Sequence, residues 1–141
     1  MDVSNIEISG LKIHNMEKQG IIISGENNEI SNNEIYDCVK ENEITSKIIA
    51  SGWSQSVFVI GKNKNSYFSK NIILKRNNIT NNFGEGLYIQ KCDGCFSISN
   101  NISNSFSMNI YIQESKNIII DGNILRINSD KFDFDLLKLV E

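Results

Sequence analysis

The chain has 141 residues, a length that fits one domain, and its 14 Lys+Arg against 17 Asp+Glu give a formal net charge of −3. That balance speaks against a general affinity for nucleic acid or anionic membrane, both of which need a basic face. The 25 Ile, 21 Asn and 17 Ser, set against the single Ala50 and no Pro, exclude a helical bundle, because Ala is the best helix former and Ile and Asn are mediocre ones.

Taken in chain order, the apolar residues fall into three repeating columns. The first holds Ile8, Ile30, Leu74, Ile98 and Ile120, each inside a short β-like run. The second holds Ile13, Ile35, Ile79, Ile102 and Ile124. The third holds Ile21, Val57, Leu87, Ile110 and Phe132. One repeat therefore carries three short strands in about 22–24 residues. Period-2 alternation assigns Ile23, Val59, Ile89, Ile112 and Phe134 to the core beside the third column. Turn residues repeat as well. Asn33, Asn77, Asn101 and Asn123 follow the first column, with Leu11 in the first copy, while Asn15, Asp37, Asn81 and Asn104 follow the second. Asn tolerates left-handed backbone angles, and stacked amides can satisfy one another from rung to rung.

A unit this small cannot bury its own apolar face, so copies must stack. The expectation is an all-β, single-stranded parallel β-helix of about five rungs over residues 1–141. Its insertion loops are expected at about 39–55 and 61–71. No run of apolar residues is longer than Val57-Phe58-Val59-Ile60, so no transmembrane helix is expected. Met1-Asp2-Val3-Ser4-Asn5 has neither a basic nor an apolar region, so no signal peptide is expected at this start. The open ends of such a stack offer end-to-end self-association, and the chain reads as a fragment of a longer solenoid.

Ile30-Ser31-Asn32-Asn33, Ile98-Ser99-Asn100-Asn101, Asn109-Ile110-Tyr111-Ile112 and Gly84-Glu85-Gly86-Leu87 resemble right-handed parallel β-helix repeats of the pectin-lyase-like superfamily. The resemblance spans about residues 4 to 135. It implies a right-handed coil, a carbohydrate ligand and a secreted or cell-surface setting. It also admits polysaccharide lyases, hydrolases, epimerases and adhesins.

The outward positions of the third strand give the best candidate surface. Ile22, Phe58, Tyr88, Tyr111 and Asp133 form one stripe, and Ser24, Ile60, Gln90, Gln113 and Asp135 run beside it. Aromatics flanked by amides suit sugar rings and hydroxyls. Trp53, in the first insertion, joins Phe58, Tyr88, Gln90, Tyr111 and Gln113 as a candidate substrate-binding residue, with its own loop packing as the alternative.

Glu85, between Gly84 and Gly86, is the candidate catalytic or calcium-binding carboxylate, with a solvated turn acid as the plainer reading. Calcium needs several oxygens, and Asp37, Glu41, Glu43, Asp93 and Glu114 are the possible neighbours. Paired catalytic Asp signatures are absent. A lyase would need a base such as Lys40, Lys47, Lys75 or Arg76, none of which the spacing singles out. His14 stands alone and reads as a turn residue. The three cysteines do not make a disulfide framework, and Cys92-Asp93-Gly94-Cys95 reads as a loop thiol pair or local disulfide. Three functions follow as expectations: polysaccharide binding or processing, a structural or adhesin segment, and a calcium-dependent lyase or epimerase.

Overall fold

Short Ile- and Val-rich runs punctuated by Asn, Ser and Gly form strands, because β-branched side chains pack on a pleated surface while the polar residues accept turn geometry. The computed structural model describes residues 3–42, 54–61 and 68–127. The first turn of chain contributes β1 (Val3–Ser4), β2 (Glu7–Ser9), β3 (Lys12–His14) and β4 (Ile21–Ile23). The second contributes β5 (Gly25–Glu26), β6 (Glu29–Ser31), β7 (Glu34–Tyr36), a 3-10 turn at Lys40–Asn42 and β8 (Gln55–Ile60). The third holds β9 (Ser69–Lys75), β10 (Asn78–Thr80) and β11 (Glu85–Gln90). The fourth holds β12 (Cys92–Ile98), β13 (Asn101–Ser103) and β14 (Ile110–Gln113), and β15 (Lys116–Asp121) and β16 (Ile124–Arg126) begin a fifth.

Successive passes run through three sheets in turn, with two short strands or one long one on the first sheet and one strand on each of the others. The first sheet stacks β1 and β2, β5 and β6, β9, β12 and β15; the second stacks β3, β7, β10, β13 and β16; the third stacks β4, β8, β11 and β14. Among the described residues the strand ladders are all parallel. The result is an all-β chain of parallel sheets, an arrangement compatible with a β-solenoid.

The core fills the space between the sheets. Ile30, Leu74, Ile35, Ile79, Ile102, Val57, Val59, Leu87 and Ile89 are fully buried there. The third-strand columns are therefore inward as expected through the middle of the stack. At its upper end Ile110 is half-buried and Ile112 is exposed, while Phe132 and Phe134 lie outside the described residues. The extra length of the second pass is visible in the register, where Asn33 meets Asn77 at a separation of 44 residues and Asn77 meets Asn100 at 23.

Three assignments shift by one residue in the upper rungs. Ser97, not Ile98, pairs with Leu74 and Ile120, so Ser97 is inward and Ile98 stands beside Lys75 and Asp121. Leu125, not Ile124, pairs with Ile102. The inward amide column is accordingly Asn33, Asn77 and Asn100, which are buried, and Asn123, which is half-buried, with Asn101 on the outer ladder opposite Asn78. The sequence offered an apolar Ile98 for the core, but the turn before the amide decides the register.

That turn needs a left-handed residue. Gly10, Asn32, Arg76, Ser99 and Gly122 all have φ between 52° and 68°, and each directly precedes Leu11 or an asparagine of this column. Asn15, Asp37, Asn81 and Asn104 are left-handed too, as their column predicts. A third left-handed column is Asn5, Asn27, Asn71, Gly94 and Asn117. The Asn-Asn pairs thus divide the work. Asn27, Asn32 and Asn81 turn the chain, while Asn28, Asn33 and Asn82 bury their amides and accept backbone N–H bonds from Ile6, Leu11 and Cys38 of the rung below.

Candidate ligand-binding face

The outer face of the third sheet carries the predicted stripe in register. Ile22 pairs with Phe58, Phe58 with Tyr88 and Tyr88 with Tyr111, and beside them Ile60 pairs with Gln90 and Gln90 with Gln113. Parallel strands about 4.8 Å apart force equivalent side chains to lie one above the next. The three rings accordingly stack. The Phe58 and Tyr88 centroids are 4.9 Å apart at an interplanar angle of 7°, and Tyr88 and Tyr111 are 4.9 Å apart at 22°. Tyr88 is sandwiched between the other two and only 8% exposed, whereas Phe58 and Tyr111 are half-buried. Ile22, at the lower end, is 59% exposed.

The amides close a second column. The Tyr88 hydroxyl donates to Gln113 Oε1, and Gln90 Nε2 donates to the same oxygen at 3.1 Å. Burial raises the Tyr88 phenol above its ordinary range, and Tyr111, Glu85 and Glu114 push it the same way. The face is therefore apolar at its centre and amide-edged.

Glu85 pairs in register with Gln55 at the entry of β11 and lies close enough for its charge to act on Tyr88. It is not a solvated turn acid. The residue is 5% exposed, Oε2 has no hydrogen-bond partner, and burial raises its pKa to about 7. The flanking glycines are required by close approach. A Cβ at Gly84 would lie 2.0 Å from the Ser54 carbonyl oxygen, and one at Gly86 would lie 2.6 Å from Ser105 Oγ. A buried carboxyl that changes charge near neutrality can exchange a proton with a bound group. Desolvation by burial is the cause of the shift.

The other candidates disperse. Trp53, Glu43 and Lys47 lie outside the described residues. Glu41 accepts a hydrogen bond from Ser54 Oγ at 2.6 Å, Asp93 pairs with Lys116 at 3.3 Å, and Lys75 pairs with Glu29 at 2.8 Å. Among the described residues no group of three His, Cys, Asp or Glu side chains converges on a point. His14 stacks on Tyr36 at 4.9 Å and meets the Asn15 amide at the turn. Cys92 and Cys95 are not on a loop. Both lie in β12, free and fully buried, because the strand runs through the corner at Gly94 and carries both side chains into the core.

Two features escaped the sequence. One is the ring stacking itself, which turns a row of open platforms into a column of edges. The other is an outer apolar column on the first sheet, Ile73, Phe96 and Ile119 in register, whose alternation with buried Ile72 and Cys95 was the available signal. Comparison with family models, curated proteins and solved structures finds no match to this chain.

Proposed function

We propose that the chain is a right-handed parallel β-helix module, similar to the pectin-lyase-like superfamily, that binds a polysaccharide along the outer face of its third sheet. Right-handedness is favoured by the connections. Each strand returns to its own sheet by a parallel crossover, and such crossovers are right-handed in about 98% of cases. Carbohydrate is favoured by one observation, the in-register column Phe58, Tyr88 and Tyr111 flanked by Gln90 and Gln113. A polymer laid along the stack meets one aromatic edge and one amide at successive rungs, which combines apolar burial with hydrogen bonding. A secreted or surface protein is the natural setting for such a module.

The decisive variant is Tyr111→Ala, at the upper end of the stack, with Tyr88→Ala beside it. Retention on a glycan array or polysaccharide gel should fall about tenfold or more, the weight of one or two aromatic contacts, with β-sheet circular dichroism unchanged. Unchanged retention refutes the proposal.

A structural reading is favoured by a different observation. Both faces of the Tyr88 ring are engaged, and its hydroxyl and the Gln90 amide already share Gln113. As a solenoid segment without ligand, the chain retains no glycan, and Tyr88→Ala lowers its melting temperature.

A further inference from the structure

We infer that the polysaccharide taken by this face is uncharged, and that a uronate polymer is excluded. The inference rests on the binding proposal above and names its ligand class. The outward positions of β8, β11 and β14 hold Phe58, Ile60, Tyr88, Gln90, Tyr111 and Gln113, none of which is charged. Among the described residues, two acids and one lysine border them. Glu85 is buried at one edge without a partner for Oε2, and Glu114 follows the last strand. Glu85 and Glu114 both act on the Tyr88 hydroxyl in the sense of negative charge. Lys91, which adjoins Gln90, pairs with Glu114 at 3.6 Å.

The strand-borne cations of the described residues lie on the other two sheets and are mostly committed there. Lys12 pairs with Glu34 at 3.1 Å, Lys70 with Glu26 at 3.3 Å, Lys75 with Glu29 at 2.8 Å and Lys116 with Asp93 at 3.3 Å. A polyuronate carries a carboxylate on every sugar. Along this face it would set those carboxylates against a buried acid, and among the described residues none of the outward positions offers a guanidinium or ammonium to meet them, a juxtaposition that costs desolvation and, as Glu85 ionises above about pH 7, repulsion as well. A neutral glycan brings only hydroxyls and ring faces, which amides, the Tyr111 hydroxyl and aromatic edges accommodate.

Affinity electrophoresis of the full chain separates the possibilities. The gels carry neutral galactomannan, xylan or mixed-linkage glucan on one side, and polygalacturonate or alginate on the other, each with and without calcium. The expected result is retardation in at least one neutral gel, insensitive to salt, and unaltered mobility in both uronate gels. Retardation in a uronate gel overturns the inference and leaves polysaccharide binding standing. Unaltered mobility in every gel overturns polysaccharide binding and the inference with it.

Discussion

Glu85 is the residue on which burial acts most plainly. Its folded pKa, about 7, lies above the ordinary carboxyl value of 4.5, so the folded chain holds a proton that the unfolded chain releases. Stability from this group is therefore fully present below about pH 4.5 and is lost as the pH rises towards 7. Glu85→Gln, which keeps the shape and removes the charge, should flatten that part of the stability–pH curve and raise the melting temperature at pH 8 relative to the parent. Denaturation midpoints measured from pH 4 to pH 8 in both chains check this; an unaltered slope in the variant refutes it. Position 85 was legible as a candidate because glycines flank it. Its burial was not legible, since a carboxylate between two glycines reads as an exposed turn until the neighbouring rungs are in place.

At the scale of elements, the corners carry more information than the strands. β5 opens at Gly25, whose φ is 115° and where a Cβ would sit 1.7 Å from the Val3 carbonyl oxygen. Gly25→Ala should therefore detach the first rung from the second, at a cost above ~1 kcal/mol because both strain and a clash are introduced. Hydrogen exchange reads the outcome. The amides of Val3 and Asn5, which donate to Ser24 and Glu26 at 3.3 and 3.0 Å, should lose protection while those of β10 to β13 keep theirs. The same corners explain the one-residue shifts in register. Ile98 is apolar and Ser97 is not, so hydrophobic periodicity alone places Ile98 inside. The left-handed Ser99 followed by the buried Asn100 fixes the opposite choice. A residue that tolerates the left-handed region followed by Asn is the local signature, and Asn32-Asn33 states it openly.

Across the whole molecule, the asparagine column ties the rungs together. Asn77 Oδ1 accepts from the Asn33 backbone N–H and from Asn33 Nδ2, each at 3.0 Å, while Asn77 Nδ2 donates to Ile30 O at 2.9 Å and to Asn100 Oδ1 at 3.0 Å. Asn77→Ala would leave the buried Asn33 backbone N–H without its acceptor, at about 1–3 kcal/mol for a group left unsatisfied, and would take one partner each from Ile30 O, from Asn33 Nδ2, which keeps Ile8 O, and from Asn100 Oδ1, which keeps the backbone N–H of residue 77. Chemical denaturation should show a loss of several kcal/mol, against a smaller loss for Asn101→Ala on the outer ladder. Equal losses would place the structural column where the sequence alone puts it, at Asn101.

The sequence by itself determined the repeat, the three strands per rung, the inward residues of the middle rungs and the register of the third-sheet stripe, because hydrophobic period and turn chemistry are local and recur in every copy. Only the tertiary structure decided which asparagine faces inward in the fourth rung, that Cys92 and Cys95 belong to the core, that Tyr88 is sandwiched, and that Glu85 is buried. Each of these depends on what the rung above or below places against the residue, and residues 23 to 44 positions apart in the chain become neighbours only when the rungs stack.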